Sequence, residues 1–537
     1  MEDEWIAERL GPDLAATLAG APAGDKPPRA RALSLPDPCA RSPFLRKFSP
    51  LRREKRTFCM SAPARHLEPG SVGLTETKRF TLPGPFRTES GKVLEKVAVA
   101  YETYGRLSPA GDNAVLIIHA LTGDAHAAGY HAPEDPRPGW WDPMIGPGKA
   151  LDTDRYFVVC TNNLGGCSGT TGPASLDPAT GRPFGMRFPV VTVEDTVRLQ
   201  KHLLDALGVK RLRTVVGGSL AGMQTLEWGL RYSGFCDSII PVAGAARLTP
   251  MGVAWDKIGR SAIMADADWM GGDYPPGRGP KKGLSAARMI GHITYLSAVI
   301  MGRKFGRRVR DEGKLLQDVN ARFEVESYLE YQGGKFVGRF DANSYIYLSR
   351  MMDLYDASAG WPSLGASLER LRTKCMLVCF ISDWLYPPQC SIEIAEVLQR
   401  LGREVELHTV ESTYGHDAFL VQYAQLTRIV GDFLRRVEGG GPIGLGALPV
   451  PPGTRRFVFT FPADEVKKPV LWELGQKFPI VINIIQGDVS TEAGWQVCEI
   501  EGAEEALARA AAYMRERGIW VDPGGIDPID HDRAEVV

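Results

Sequence analysis

A serine, an acid and a histidine occur in this 537-residue chain in an order suited to nucleophilic acyl transfer. Ser219 sits in "TVVGGSLAGMQ", directly after the β-branched run "RTVV" and before the helix-compatible stretch "AGMQTLEWGLRY". A serine hydroxyl is a weak nucleophile until a base takes its proton, and a strained strand-to-helix turn is the setting that presents one for attack. Such a turn tolerates only small neighbours. Gly217, Ala221 and Gly222 meet that demand, although Ala221 stands where the strict pattern has glycine. The bare pattern is weak, and its partners raise it. Asp383 follows the apolar run "CMLVCFIS", and His416, in "STYGHDAF", follows the run "EVELHTV". An acid at one strand end and a histidine in the loop after the next strand is the placement in which the acid orients the imidazole that deprotonates the serine. Acyl transfer also needs two backbone N–H donors for the developing oxyanion. Leu220, next after the serine, supplies one, and the Leu121 amide in "HALTGD", after the run "AVLII", is the expected second. His119 and His126 of the same loop are assigned no chemical role and are expected to pack or hydrogen-bond there.

These groups need a rigid frame, and the pattern provides one. The runs at 114–120, 155–161, 213–218, 237–244, 375–382 and 404–410 are apolar enough to be buried on both faces, the mark of a parallel α/β sheet. Between the second and third lies "TVEDTVRLQKHLLDALG", where Thr192 and Asp195 form a capping-box pattern and Gly208 stops the helix. The interval from Ser219 to Asp383 is longer than a few strands and helices consume, so an inserted helical lid is expected at about 250–362. A lid over the serine keeps water from an acyl-enzyme.

The composition narrows the ligand. At 44% hydrophobic residues and a formal net charge of −1, the chain builds a large core and has no electrostatic reason to seek nucleic acid or an anionic membrane. No apolar run is long enough to span a bilayer, and the acidic start "MEDEWIAERL" is unlike a secretory signal, so a cytoplasmic location is expected. The nine cysteines are scattered without paired CxxC spacing, which favours a reducing compartment and no metal site. Residues 1–59 lack core patterning and are expected to be a disordered extension.

Eight segments in register carry a resemblance. "HALTGDAHAAG", the long motif from "GWWDPMIGPG" through "GRPFG", "FPVVTVEDTVRLQ", "VVGGSLAGMQTLEW", "ARMIGHITYLS", the motif from "FEVESYLEYQ" through "DANSYIYL", "SDWLYPP" and "YGHDAFL" together resemble the homoserine O-acetyltransferase family of α/β-hydrolase-fold acyltransferases. The likeness spans about residues 76–435. It implies an α/β-hydrolase fold with the lid, in a domain at 60–438, and Ser219, Asp383 and His416 as the catalytic triad. It further implies that Arg288 in "ARMIGH" binds the homoserine carboxylate and Asp417 in "YGHD" its ammonium group. The implied reaction is ping-pong transfer of an acetyl group from acetyl-CoA to L-homoserine in methionine biosynthesis, with acetyl-CoA a substrate and no bound cofactor or metal. A homodimer is expected. Family members differ in acyl donor, and those using succinyl-CoA tend to carry an arginine two positions after the catalytic aspartate. Here that position is Leu385, which suits a methyl terminus. The family usually shows Met and Gly at the positions of Leu220 and Ala221, and the Ala221 methyl is expected to crowd the turn.

Downstream, "GGGPIGLGALPVPPG" (439–453) reads as a linker. Residues 454–523 then read as β-α-β-β-α-β, a ferredoxin-like module resembling the NIL domain, with 524–537 a tail. The resemblance implies methionine sensing, and the alternative is a dimerisation or solubility module without a ligand. Two other functional classes fit parts of the chain: an esterase or succinyltransferase of the same fold, and a non-catalytic methionine-binding regulator. Release of CoA from acetyl-CoA with and without L-homoserine separates them.

Overall fold

The computed structural model describes residues 68–439, 454–462, 465–466, 468–489 and 493–523. The expectations for residues 1–59 and for the tail lie outside these, as does the linker beyond Gly439. Eight strands form the main sheet: β1 (Lys78–Thr81), β2 (Ala98–Tyr104), β3 (Ala114–Ile118), β4 (Phe157–Thr161), β5 (Leu212–Gly218), β6 (Cys236–Val242), β7 (Lys374–Phe380) and β8 (Val405–Val410). Their spatial order is β1-β2-β4-β3-β5-β6-β7-β8. The six strands read from apolar runs pair in parallel. The sequence reading missed β1 and β2, and β2 runs antiparallel to both of its neighbours. Consecutive residues of the central strands face opposite ways: Val215 joins one core cluster and Val216 the other, as do Leu116 and Ile117. Both faces are therefore covered, which is why these runs are continuously apolar rather than alternating.

Helix α1 (Val193–Ala206) crosses into β5. Its start is the expected capping box, with Thr192 accepting from the Asp195 amide and Asp195 accepting from the Thr192 amide. Helix α2 (Leu220–Arg231) leaves β5 at Ser219. Between β6 and β7 the chain makes a helical excursion through α3 (Pro250–Ala265), α4 (Lys281–Tyr295), α5 (Ala298–Lys304), α6 (Glu324–Val337) and α7 (Ala342–Leu354). The stretch read as one continuous helix, "LSAARMIGHITYLSAVIMGRKFG", bends by 106° between α4 and α5. Leu296 is extended there, and the Ser297 side chain accepts from the Ile300 amide to start a new helix. The break is held by the sheet-top loops, since Trp384 Nε1 donates to the Leu296 carbonyl at 3.1 Å and Ser297 Oγ donates to the Thr413 carbonyl. Helices α8 (Pro388–Arg400) and α9 (Tyr423–Glu438) complete the layers. Among the described residues no single helix is long and apolar enough to cross a membrane.

The C-terminal module has its own sheet and its own core. β9 (Thr454–Pro462), α10 (Val470–Lys477), β10 (Ile480–Val489), β11 (Ala493–Gly502), α11 (Glu504–Glu516) and β12 (Trp520–Pro523) follow the expected β-α-β-β-α-β order. The antiparallel sheet runs β10-β11-β9-β12, and Phe457, Phe459, Leu474, Ile500, Leu507 and Met514 lie in its buried cluster.

Candidate active site

Ser219 occupies a left-handed backbone conformation, φ 65° and ψ −126°, at the junction of β5 and α2. A non-glycine residue pays about 1–3 kcal/mol for such a conformation, and surrounding contacts must enforce it. Here the Ser219 amide donates to the Val242 carbonyl of β6 at 3.0 Å, and its own carbonyl accepts from Gly222 at 2.8 Å. The glycines make the turn possible. A side chain at Gly217 would put its Cβ 2.6 Å from the Ala221 methyl, and one at Gly222 would meet the Gly244 Cα at 2.9 Å. Ala221 is fully buried, and the turn forms around it. The expected crowding thus falls on position 217, where the absence of a side chain makes room for the extra methyl.

Asp383 and His416 meet as the sequence order anticipated. The imidazole Nδ1 lies 2.7 Å from Asp383 Oδ2, and the side chains are 3% and 0% exposed. The other carboxylate oxygen accepts from the Leu385 and Tyr386 amides at 3.0 and 2.9 Å. With Nδ1 facing the acceptor oxygen Oδ2 of Asp383, Nδ1 carries the proton and Nε2 is left free. Burial alone depresses the imidazole, but the charge and hydrogen bond of Asp383, with the charge of Asp417, raise its pKa above the ordinary value. Tyr386 stacks on the imidazole at 5.0 Å, its phenol donates to Met352 Sδ at 3.7 Å, and it lines the same cavity as Ser219. No Ser219–His416 hydrogen bond is present among the described residues.

A small cavity of about 30 Å³ lies over the serine, lined among others by Leu121, Trp255, Asp256, Tyr295, Leu385 and Tyr386. Leu121 and Leu385, both singled out from sequence, face the same space as Ser219. Neither the Leu121 nor the Leu220 amide N–H has an acceptor among the described residues, so both are available to an incoming oxyanion. The loop carrying Leu121 is fixed from below. Glu102 of β2, fully buried, accepts from Thr77 Oγ1 (2.8 Å), Tyr104 OH (3.0 Å), His126 Nδ1 (3.1 Å) and His131 Nε2 (2.8 Å). Burial would raise this carboxyl, but the hydrogen bonds from His126, His131 and Thr77 hold it down to about 2. Tyr104 in turn accepts from the Ala127 and Ala128 amides. His119 is buried too, with Nδ1 2.7 Å from the Ala120 carbonyl and Nε2 accepting from the Asn163 amide at 3.2 Å.

The lid contributes the charged groups. Arg288 of α4 stands over the Tyr295 and Phe336 rings, 5.4 and 4.8 Å from their centroids, and donates to Thr122 Oγ1 at 3.2 Å. Burial raises the Asp417 carboxyl, opposed by the nearby positive charges of His416 and Arg288. Sequence reasoning missed a second cation, Arg339, which donates to the Thr122 carbonyl at 3.0 Å and also covers Phe336. It missed Tyr386, Tyr295 and Asp256 as well. Tyr386 lay inside the "SDWLYPP" motif, and the i, i+4 pair of Asp256 and Arg260 in "WDKIGR" was the one available hint to the third.

Comparison with known proteins follows the same lines. The family model of the alpha/beta hydrolase fold matches residues 113–423, and that of the NIL domain matches 455–523. A homoserine O-acetyltransferase of Deferribacter desulfuricans is 50% identical over 371 residues, covering 69% of this chain and 98% of the relative. One from Methanococcoides burtonii is 50% identical over 364 residues, covering 68% and 74%. Among solved structures, homoserine O-acetyltransferase from Bacillus anthracis superposes with a TM-score of 0.65 at 30% identity, over 68% of this chain and 98% of that one. Esterase E22 superposes almost as well, with a TM-score of 0.63 at 31% identity over 67% and 100%. Overall shape therefore does not separate transfer from hydrolysis, whereas half-identical sequence over nearly the whole of a named acetyltransferase does. The chain belongs to the homoserine O-acetyltransferase family of the α/β hydrolase fold.

Proposed function

We propose that this protein transfers an acetyl group from acetyl-CoA to the hydroxyl of L-homoserine, with Ser219, His416 and Asp383 as its catalytic triad. The observation that carries the reading is a buried serine on a strained turn, opening into a small cavity beside an Asp383–His416 pair. His416 Nε2 takes the Ser219 proton as Oγ attacks the thioester carbonyl, and the Leu121 and Leu220 amides hold the oxyanion. CoA leaves as the thiol, with the proton returned by His416. Homoserine then enters, its hydroxyl loses a proton to the same nitrogen, and its oxygen displaces Ser219 from the acetyl carbon. Arg288 pairs with the homoserine carboxylate and Asp417 with its ammonium group. A serine not yet hydrogen-bonded to His416 before substrate arrives fits these roles, because catalytic hydrogen bonds often tighten only in the substrate complex.

The cavity also bears on the acyl donor. Leu385 lines it. A succinyl carboxylate placed there would be desolvated without a cation, so acetyl-CoA is preferred by at least about a hundredfold in kcat/KM, roughly 2.7 kcal/mol of unmet charge. The C-terminal NIL domain binds L-methionine in this reading and reports on the end product. The decisive experiment follows free CoA from acetyl-CoA with and without L-homoserine. Homoserine-dependent release supports transfer, CoA release at the same rate without homoserine assigns an esterase, and no release in either arm refutes both.

A further inference from the structure

Asp256 is an unexpected group in an acyl cavity. It lies on α3, is 9% exposed, and lines the same space as Ser219 and Leu385. Its partner is a second carboxyl, Asp353 at the end of α7, 2% exposed as a side chain. Asp256 Oδ2 and Asp353 Oδ1 are both buried without a donor, and the two carboxyl groups are within hydrogen-bonding reach of each other. One proton shared between them satisfies both oxygens. Two ionised carboxylates at that distance, by contrast, repel in a medium that screens poorly. The cations nearby are spent on the far carboxyl: Arg260 donates to Asp353 Oδ2 at 2.5 Å and to Ser349 Oγ at 3.3 Å, and Arg350 reaches Asp353 Oδ2 at 3.3 Å. Burial and the neighbouring Asp353 push the Asp256 carboxyl well above the usual carboxylate range. Trp255 Nε1, also in the wall and without an acceptor, offers only a neutral N–H.

We propose that Asp256 is a second determinant of acyl-chain choice, presenting a carboxyl oxygen that turns away chains ending in a carboxylate. The proposal rests on reading Ser219 as the acyl acceptor. A carboxylate entering the cavity meets apolar Leu385 on one side and an acceptor oxygen on the other, and no cation is among the described residues that line it. It follows that an arginine at position 385 is not enough to admit succinyl groups. In Leu385→Arg the new guanidinium has Asp256 as a partner inside the cavity, and the pair would neutralise the charge that the succinyl carboxylate needs.

The test compares kcat/KM for acetyl-CoA and succinyl-CoA, with L-homoserine as acceptor, in the full-length wild type, Asp256→Asn, Leu385→Arg and the double variant. The asparagine keeps a hydrogen bond to Asp353 while removing the acid. The succinyl-to-acetyl ratio is expected to rise in the double variant by at least about tenfold more than the product of the two single effects, the coupling of charges sharing one cavity. A ratio equal to that product overturns the proposal. Asp353→Asn probes the same pair from outside the cavity, and remains informative if Asp256→Asn does not fold. Its amide donates to Asp256, which then ionises, so the succinyl-to-acetyl ratio should fall; a rise or no change overturns the proposal. Wild-type protein that moves no acetyl group to homoserine overturns instead the functional reading beneath it.

Discussion

Replacing Asp383 by asparagine tests the triad most sharply, because the structure dictates how the new side chain must sit. Asp383 Oδ1 accepts from two backbone amides, Leu385 and Tyr386, which neither move nor accept in return. The asparagine must turn its carbonyl oxygen toward them, and its NH2 group then faces His416 Nδ1 where Oδ2 stood at 2.7 Å. A donor there forces Nδ1 to accept, so the proton moves to Nε2, the nitrogen that has to take the proton of Ser219. Trapping the wrong tautomer in a triad costs about 10⁴-fold in kcat, roughly 5.4 kcal/mol. A second signature accompanies the loss. In the native protein burial lowers the His416 pKa, and the Asp383 charge and hydrogen bond overcome it to give a net rise. Without that charge burial prevails, and the acid limb of kcat/KM, which reports conversion of imidazolium to the neutral base, moves to lower pH. The assay is CoA release from acetyl-CoA and L-homoserine across the pH range, with thermal melting to show that the variant is folded. A folded Asp383→Asn protein with kcat within about tenfold of native, or with an unmoved acid limb, would refute this account of how Asp383 acts.

Four further outcomes follow from the same geometry. Ser219→Ala should form no acetyl-enzyme on incubation with acetyl-CoA, and mass spectrometry showing acetylation of another residue in the native site would reassign the nucleophile. Gly217→Ala brings a methyl to 2.6 Å from that of Ala221, and should cost about 1–3 kcal/mol in chemical denaturation together with most of the activity; the Gly217→Ala/Ala221→Gly double variant should recover part of both, and no recovery would contradict the packing argument. Arg288→Lys loses the planar guanidinium, so KM for homoserine should rise about tenfold or more while acetyl-enzyme formation in the absence of homoserine changes little; an equal fall in both half-reactions would place Arg288 elsewhere in the mechanism. Removing residues 440–537 should leave an active transferase, since the Deferribacter desulfuricans relative is matched over 98% of its length by 69% of this chain. The truncated enzyme should also lose any inhibition by L-methionine seen in the full chain, and retained inhibition would show that the NIL domain is not the sensor.

The central strands, the strained turn at Ser219 and the meeting of Asp383 with His416 were legible from the residues because each is written locally or in chain order. A strand buried on two faces must be largely apolar, which marked β3 to β7, and a strained turn must be flanked by small residues, which marked Ser219. β1 and β2 escaped because neither reads as an unbroken apolar run: β2 carries Glu102 and Thr103, and β1, paired on one side only, carries Lys78 and Arg79. The lid's bend escaped for a different reason, since "HITYLSAVIM" has unbroken helical character and only hydrogen bonds from distant loops, at Trp384 and Thr413, fix where it breaks. What the tertiary structure alone decided is which side chains share the acyl cavity. Asp256, Asp353 and Arg260 form a unit across two lid helices, and Tyr386, in the loop after β7 and well over a hundred residues from Ser219, lines the same cavity. Helix and strand periodicity tells which face of an element is apolar, but not which face of another element lies opposite. The pairing of two buried carboxyls is set by that packing, and no spacing along the chain encodes it.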